Sequence, residues 1–227
     1  MNVGNDDQAT NGELWLLERL ATSLPPSPVV FDVGANVGRY SEAVLERIKE
    51  ARLYAFEPSA TAFAKLQASF GQRARTFRHA LGAENGERPL YADRPGSELG
   101  SLIHRDLHRY GLAVGEQETV IVRRLDTLCA ELDVERIDLL KIDAEGAELD
   151  VLRGAGDILG TRIGVIEFEF GGTAIDAHHA LRDFFDVLEP AYRIHRLLPE
   201  ALWPLDYSER LEIFEYANYV ALPKGAP

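Results

Sequence analysis

Cysteine is almost absent from this chain, because Cys129 is the only one among its 227 residues. A single cysteine excludes an intrachain disulfide, and this is typical of proteins that fold in a reducing compartment. The residues around Cys129 are apolar, which favours a small core residue over a nucleophile.

Long hydrophobic runs are also lacking. No apolar stretch approaches the roughly 20 residues that a membrane-spanning helix requires. The first residues, MNVGNDDQATNGE, contain neither the basic region nor the apolar run of a signal peptide. We therefore expect a cytoplasmic protein with no membrane partner.

Basic residues are outnumbered, with 24 Lys and Arg against 37 Asp and Glu and a formal net charge of -13. An acidic domain repels phosphate backbones, so the composition argues against a nucleic-acid partner. The 46% hydrophobic and 27% charged content is typical of a globular domain. A small molecule is the expected partner, while the oligomeric state is not predicted.

Short apolar segments alternate with amphipathic ones along most of the chain. An N-terminal helix is predicted over residues 13–24. Seven strands are predicted, over Val29–Val33, Arg52–Phe56, residues 75–80, residues 138–142, Ile163–Phe170, residues 192–197 and residues 219–222. Three further helices are predicted over residues 38–50, 59–70 and 175–188. This alternation indicates a mostly parallel sheet covered by helices on both faces.

The first chemical motif is FDVGANVGRYS at residues 31–41, where a strand enters a glycine turn and then a helix. Ligands bind at such turns in parallel sheets. Gly34 lets the backbone approach a ligand closely, Gly38 lets the next helix pack near the sheet, and Asp32 is placed to meet an ammonium group. The motif lacks the Lys-Ser/Thr of a phosphate loop and the third glycine of a dinucleotide fingerprint, and a purely structural turn is the alternative.

The second motif is Glu57, which ends the second predicted strand 19 residues after Gly38 and is followed by Pro58. A carboxylate at this position can accept hydrogen bonds from both ribose hydroxyls. The alternative is an acid that caps the helix after Ser59. Together the two motifs indicate a ribosyl ligand of the NAD type or the adenosylmethionine type.

The third motif is LLKIDAEGAE at residues 139–148. Asp143 ends a strand predicted to lie beside the first one, and Glu145 follows near a helix start, where the helix dipole favours acids. We expect Asp143 to face the reactive end of a ligand held by Asp32 and Glu57.

These motifs together resemble a known family. The segments DVGANVGRYS, FEPS, HALGAENG, the SLIHRDL region, RLDTL, DLLKIDAEGAELDVLRGA, VIEFEF and EYANYVALP resemble the FkbM family of methyltransferases over residues 29–223. The resemblance implies a class I methyltransferase fold, which is α/β, Rossmann-like and doubly wound around a mostly parallel seven-stranded sheet with an antiparallel last strand. It also implies S-adenosylmethionine as the cofactor and O-methylation of small hydroxylated compounds such as sugars or polyketides.

One domain in four parts is expected. Residues 1–28 form an N-terminal helix and linker, beginning with a polar stretch that we expect to fray. Residues 29–82 form the cofactor-binding half, 83–137 an insertion after the third strand on the ligand side, and 138–227 the catalytic and acceptor-binding half.

The resemblance also implies individual cofactor contacts. The methionine end of the cofactor is expected to be lined by Asp32, Gly34, Ala35, Asn36, Gly38 and Ser41. Glu57 is expected to hold the ribose, with Pro58 and Ser59 beside the adenosine. The adenine is expected to be flanked by Ala80, Leu81 and Gly82, and Ser101 and Asp143 are expected near the cofactor. His79 departs from the family pattern, in which a small polar residue is frequent at this position.

Methyl transfer to an alcohol requires a base or a metal, because an alcohol does not ionise by itself at pH 7. Asp143 is the leading predicted base, followed by Glu145 and Glu167. Lys141 is predicted either to orient a carboxylate or to anchor the end of the sheet. In a metal-assisted alternative, Asp143, Glu145 and Glu167 hold Mg²⁺ or Ca²⁺.

The acceptor is predicted to bind residues 93–118 and 197–218. The second segment combines aromatic and acidic side chains, which suit a sugar or glycoconjugate hydroxyl, although they also suit a core. A polyketide or other natural product is the alternative acceptor. An NAD-dependent oxidoreductase and a non-catalytic cofactor-binding module are the alternatives of another class.

Overall fold

The structure, a computed structural model, describes residues 4–106, 108, 111 and 115–225. Leu107 of the SLIHRDL region and residues 109–110 and 112–114 of the predicted acceptor segment lie outside the described residues.

Seven helices and eleven strands make up the described part of the chain. The helices are Glu13–Ser23 (α1), Arg39–Arg47 (α2), Ala60–Phe70 (α3), Leu125–Glu131 (α4), Glu148–Gly154 (α5), Thr173–Asp176 (α6) and Leu181–Leu188 (α7). The strands are Val29–Val33 (β1), Arg52–Phe56 (β2), Arg75–Phe77 (β3), Ala80–Leu81 (β4), Gly86–Ala92 (β5), Glu116–Arg123 (β6), Ile137–Ile142 (β7), Ile163–Phe170 (β8), Tyr192–Leu198 (β9), Ala201–Pro204 (β10) and Ala217–Pro223 (β11).

The main sheet has eight strands in the order β10-β9-β11-β8-β7-β1-β2-β3. The five strands from β8 to β3 are parallel, and β11 runs antiparallel to both of its neighbours. The predicted parallel sheet with an antiparallel last strand is therefore confirmed. The eighth strand was not predicted, because β10 is a short edge strand that pairs with β9 across a tight turn.

Helices cover both faces of this sheet. In β1, Val29, Phe31 and Val33 pack with α4, α5 and α7, whereas Val30 packs with α1 and α2. Every residue of β1, β7 and β8 is buried, as expected for strands covered on both sides. Because side chains alternate along a strand, Asp32 lies on the same face as Val30, toward α1 and α2.

The chain between β3 and β7 forms a second sheet of three strands, in the order β4-β6-β5. The single strand predicted over residues 75–80 is divided between the two sheets, since β3 pairs with β2 whereas β4 pairs with β6. The helix predicted over residues 175–188 is also divided, because His178 adopts a positive φ of 56° between α6 and α7.

None of the helices in the described ranges has the length and apolar character needed to cross a membrane.

Candidate functional site

A cavity of about 590 Å³ lies at the carboxyl ends of β1, β2, β7 and β8. Of the predicted site residues, its lining includes Asp32, Gly34, Ala35, Asn36, Glu57, Pro58, Ala80, Leu81, Lys141, Asp143 and Glu145. The predicted residues outside the lining are Gly38, Ser41, Ser59, Gly82, Ser101 and Glu167. The acids that end β1, β2 and β7 therefore meet around one cavity.

The glycine turn after β1 packs directly against the turn after β7. The backbone N–H of Gly34 donates to the Phe56 carbonyl at 3.0 Å, and the N–H of Asp143 donates to the Val33 carbonyl at 2.9 Å. Gly34 has a φ of 83°, and a Cβ at this position would lie 1.7 Å from the Asp143 carbonyl oxygen. Only glycine fits this approach, so Gly34 sets the position of the Asp143 turn as well as its own.

Gly38 packs closely against a neighbouring helix. A Cβ at Gly38 would lie 2.2 Å from the Phe70 ring and 2.8 Å from a Leu66 methyl group. Both are residues of α3, so Gly38 allows α2 to approach α3. Gly82 likewise packs against α5, because a Cβ at Gly154 would lie 2.1 Å from its carbonyl oxygen.

Glu57 is held by backbone donors on both sides of its carboxylate. The N–H of Asn36 donates to Oε2 at 2.9 Å, and the N–H of Ser59 donates to Oε1 at 2.7 Å. Burial raises the pKa of Glu57 to about 7, although these two hydrogen bonds oppose the shift. The carboxylate keeps free lone pairs toward the cavity and can accept further donors from a ligand.

Asp32 is fixed by Ser41, whose hydroxyl donates to Oδ2 at 2.6 Å. Ser41 is fully buried, so it positions Asp32 without lining the cavity itself. Burial raises the pKa of Asp32 to about 6, against the effect of the Ser41 hydrogen bond.

A buried polar cluster around Lys141 forms part of the cavity wall. The Lys141 ammonium lies 2.9 Å from Oε1 of Glu13 and 3.6 Å from Oε1 of Glu167. The Tyr40 hydroxyl donates to Oε2 of Glu167 at 2.7 Å. The ion pair with Glu13 ties α1 to the sheet.

Burial and charge act in opposite directions on this cluster. Burial opposes the ammonium form of Lys141, but Glu13 and Glu167 outweigh it and raise its pKa well above the ordinary range. Burial also opposes ionisation of Glu13, yet the charge of Lys141 keeps the pKa of Glu13 lowered. For Glu167, burial raises the pKa to about 8 despite the nearby ammonium. Burial therefore favours the protonated form of Glu167.

Side chains of the segment that precedes β6 stabilise the turn after β7. Glu145 has a positive φ of 51°, which is uncommon for a residue with a side chain. The Ser101 hydroxyl donates to the Glu145 carbonyl at 2.6 Å, and Arg105 lies 2.6 Å from the Glu145 carboxylate. Glu148 accepts hydrogen bonds from the N–H groups of Ala144 and Gly146 at 2.9–3.0 Å. Ser101 thus positions the turn without lining the cavity.

Glu169 is one of the site residues that the sequence analysis missed. It lines the cavity and is only 8% exposed. Because Ile142 pairs with Phe168, the next residues in register are Asp143 and Glu169. Burial and the charge of Asp143 raise the pKa of Glu169 well above its ordinary range. The alternation in VIEFEF could have identified it, since Glu167 and Glu169 share a face and Glu169 is nearer the carboxyl end of the strand.

The polar N-terminal residues, expected to fray, lie over the cavity. Its lining includes Gly4, Asp6, Asp7 and Gln8, and we call residues 4–8 the N-terminal strap. The backbone N–H of Gly4 donates to the Tyr216 carbonyl at 2.8 Å. Nothing in the periodicity of this segment indicates such a contact.

The two predicted acceptor segments contribute unequally. Residues 97–100 and Leu102 of the first line the cavity. From the second, Tyr216 is in the lining, whereas Trp203 is 63% exposed on β10 and Phe214 packs against the core. The aromatic side chains of the second segment therefore do not act together at the cavity.

The predicted metal ligands do not fit a metal ion. Within the described ranges, no group of three or more His, Cys, Asp or Glu side chains is arranged to hold one. Glu145 is paired with Arg105, and Glu167 lies beneath the cavity between Lys141 and Tyr40.

The strand order, the glycine turn after β1 and the acid at the end of β2 are those of the class I methyltransferase fold. The solved structure of methyltransferase FkbM from Methylobacillus flagellatus KT is similar, with a TM-score of 0.53 at 17% identity, covering 88% of this chain and 45% of that chain. The plantazolicin methyltransferase BpumL, solved in complex with SAH, has a TM-score of 0.52 at 10% identity, covering 95% and 85%. These likenesses show the fold.

The chain belongs to the FkbM family of methyltransferases, because the model of the methyltransferase FkbM domain matches residues 32–194. This match confirms the predicted family and enzyme class. It contradicts the alternative of an NAD-dependent oxidoreductase.

Curated relatives agree with this assignment. The 2-O-methyltransferase NoeI of Sinorhizobium fredii is 29% identical over 189 residues, which cover 78% of this chain and 77% of NoeI. The 31-O-demethyl-FK506 methyltransferase FkbM of Streptomyces tacrolimicus is 32% identical over 167 residues, covering 61% and 64%. The AMB antimetabolite synthetase AmbE of Pseudomonas aeruginosa is 35% identical over 169 residues, but these span only 8% of AmbE and 59% of this chain.

Proposed function

We propose that this protein is an S-adenosylmethionine-dependent O-methyltransferase that acts on a hydroxyl of a small molecule, with a sugar or glycoconjugate as the acceptor. The observation that carries the proposal is the meeting of Asp32, Glu57 and Asp143 around one cavity beside the Gly34 turn. The SAH complex of BpumL and the names of NoeI and FkbM, both O-methyltransferases, support it.

The residues present fit S-adenosylmethionine. Glu57 would accept hydrogen bonds from the ribose hydroxyls with its free lone pairs, and Ala80 and Leu81 would flank the adenine. Asp32 would meet the ammonium group of the methionine end, beside the close backbone turn at Gly34. When bound, the cofactor supplies a methyl group on a sulfonium, which is already a good leaving group.

The chain has two tasks in the reaction, which are to align the acceptor oxygen with the methyl group and to remove the hydroxyl proton. Asp143 is the group we assign as base, accepting the proton as the acceptor oxygen takes the methyl group. Burial raises the pKa of Glu169 and so favours its protonated form, which can donate a hydrogen bond to Asp143 and orient that carboxylate. Ser101 and Glu148 keep the Asp143 turn in place.

A polyketide or similar natural product is the second candidate acceptor. The name of the Streptomyces relative, a 31-O-demethyl-FK506 methyltransferase, favours it. The apolar side chains of Leu90, Leu99 and Leu102 in the cavity lining suit such an acceptor as well.

The first test is calorimetry with S-adenosylmethionine, SAH and NAD, followed by a screen of sugars and polyketides for a mass gain of one methyl group. We expect binding of the first two ligands. Binding of NAD alone would overturn the proposal.

The second test is Asp143→Asn, with Asp157→Asn as a control at an exposed acid outside the cavity. We expect kcat to fall about 10²–10⁴-fold in Asp143→Asn with SAH affinity nearly unchanged, because removal of a positioned base has effects of this size. Undiminished turnover would eliminate Asp143 as the base.

A further inference from the structure

Tyr216 is a half-buried residue of the cavity lining to which the proposed reaction gives no role so far. It immediately precedes β11, whose first residue, Ala217, pairs with Phe170 at the end of β8. Since β11 runs antiparallel to β8, Tyr216 lies at the carboxyl edge of the parallel strands. Asp143 lies at the same edge after β7, which is the neighbour of β8. The two side chains therefore line the cavity from neighbouring positions.

The backbone of Tyr216 is held by two contacts. The N–H of Gly4 in the N-terminal strap donates to its carbonyl at 2.8 Å. A Cβ at Gly171 would lie 2.8 Å from the Tyr216 Cα, so the chain after β8 packs directly against it. A side chain on such a fixed backbone can present its hydroxyl to a ligand with little loss of entropy.

Two side chains behind Tyr216 set the direction of the hydrogen bonds of its hydroxyl. Nζ of Lys141 lies 3.5 Å from Oδ1 of Asn218, and Nδ2 of Asn218 lies 3.5 Å from the Tyr216 hydroxyl oxygen. An ammonium group can only donate, so the amide oxygen of Asn218 faces Lys141 and its NH₂ group faces Tyr216. An amide nitrogen also only donates, so the Tyr216 oxygen is the acceptor in this contact.

This direction is fixed at its buried origin. Lys141 and Asn218 are both buried, so water does not compete for the contact between them. Burial lowers the pKa of Lys141, but the charges of Glu13 and Glu167 outweigh it, so the group stays an ammonium ion. The ion pair with Glu13 at 2.9 Å also holds the ammonium in place. The amide of Asn218 therefore cannot turn without placing its NH₂ group against a cation.

The Tyr216 hydroxyl is left with its own proton. Among the residues that the structure describes, no acceptor lies within hydrogen-bond distance of this proton. Burial raises the pKa of Tyr216 above its ordinary range, so the phenol keeps the proton and acts as a donor rather than as a base. A fixed donor without a protein acceptor, in the lining of a cavity, is suited to an oxygen atom of a ligand.

Resting on the proposed function, we propose that the Tyr216 hydroxyl donates a hydrogen bond to the acceptor oxygen and so selects the lone pair that attacks the methyl group. An alcohol oxygen has one O–H bond and two lone pairs. Asp143 takes the proton, Tyr216 occupies one lone pair, and the other lone pair forms the bond to the methyl carbon. The bond between that carbon and sulfur breaks, and sulfur keeps its electron pair as the neutral thioether of SAH.

The first test is Tyr216→Phe in the full chain saturated with S-adenosylmethionine. The acceptors are the methyl glycosides of glucose, galactose and mannose, and the readouts are SAH release and the mass gain of one methyl group. We expect KM for the acceptor to rise about tenfold, as for the loss of one hydrogen bond, with a smaller change in kcat because this bond forms before the methyl group moves. The control is Tyr91→Phe, because Tyr91 is also half-buried but lies outside the cavity lining. It should keep the wild-type KM and kcat.

The second test reverses the hydrogen bond while Tyr216 stays in place. In Asn218→Asp, the carboxylate offers only acceptors, so the Tyr216 proton turns toward position 218 and away from the cavity. We expect the same tenfold rise in KM. The double variant of Tyr216→Phe with Asn218→Asp should lose no more than either single variant, because both remove one and the same donor. Circular dichroism checks that each variant is folded, and Tyr216→Phe alone decides if Asn218→Asp is not.

The outcomes separate this inference from the proposed function. A wild-type KM in Tyr216→Phe or in folded Asn218→Asp, or additive losses in the double variant, would overturn the role of Tyr216 while O-methylation stands. A fall in kcat as large as that expected for Asp143→Asn would also overturn it, because Tyr216 would then be a base. Transfer to none of the three glycosides would overturn the sugar acceptor and this inference with it. Failure to bind S-adenosylmethionine would overturn the proposed function itself.

Discussion

A single methyl group added at position 34 tests how tightly the two turns at the cavity are coupled. In Gly34→Ala, the new Cβ would lie 1.7 Å from the Asp143 carbonyl oxygen. The obstacle is a backbone atom, and the N–H of Asp143 is already hydrogen bonded to the Val33 carbonyl at 2.9 Å. The turn after β7 must therefore move, and the acid that it carries must move with it.

The magnitude follows from two contributions. A side chain at a φ of 83° costs about 1 kcal/mol, because left-handed backbone is unfavourable for L-residues. Overpacking against backbone adds about 3 kcal/mol. The free energy of unfolding should fall by about 4 kcal/mol, which corresponds to a Tm lower by about 8–16 °C for a chain of this size.

The matched control is Gly71→Ala. Gly71 also has a positive φ, 53°, but a Cβ at this position meets nothing within 4 Å. This control carries the backbone cost of a positive φ without the overlap with a backbone atom, so its Tm should fall by less than that of Gly34→Ala.

The assay combines thermal unfolding by circular dichroism with calorimetry of SAH binding. We expect Gly34→Ala to lose SAH affinity at least about tenfold, since displacement of site residues by about 1 Å has effects of this order. Gly71→Ala should bind SAH like the wild type. Equal Tm shifts and equal affinities for the two variants would refute the close packing of the two turns.

Two further predictions concern buried charges. Lys141→Met should reduce the free energy of unfolding in urea by about 3–5 kcal/mol, because Glu13 loses its buried counter-charge, whereas Lys65→Met on the surface should change it little. A loss below about 1 kcal/mol would contradict the buried cluster. The pKa of Glu57 is raised from 4.5 to about 7. Lowering the pH from 8 to 6 should therefore weaken SAH binding about tenfold in calorimetry, because the carboxylate becomes protonated. The unliganded fold should gain stability over the same range, because the folded state binds this proton more tightly than the unfolded chain does. Glu57→Gln should remove this dependence, and a wild-type affinity that does not change with pH would refute it.

Most strands of the sheet could be predicted because the pattern that identifies each strand lies within the strand and its flanking residues. Strands such as Val29–Val33 and Ile163–Phe170 were predicted with the observed bounds. Both are apolar runs bounded by turn residues, which is the pattern of a strand buried on both faces. The edge strand Ala201–Pro204 has no such pattern, since its pairing depends on β9 and most of it is exposed.

Within the site, the residues that end strands were the predictable ones. The sequence alone determined that Asp32 lies near the end of β1 and that Glu57 and Asp143 follow β2 and β7, and parallel strands bring their carboxyl ends to one edge of the sheet. The sequence by itself therefore predicts that these three acids lie together.

Only the tertiary structure decided which partners those residues acquire. The pairing of Lys141 with Glu13, the support of Glu145 by Arg105 and the position of Glu169 beside Asp143 all join segments distant in the chain. The periodicity of apolar residues along the sequence indicates which face of a strand or helix is buried. It does not indicate which side chain from a distant part of the chain contacts that face. The N-terminal strap shows this most clearly, because a polar segment without periodicity lies over the cavity through a hydrogen bond to the carbonyl of Tyr216.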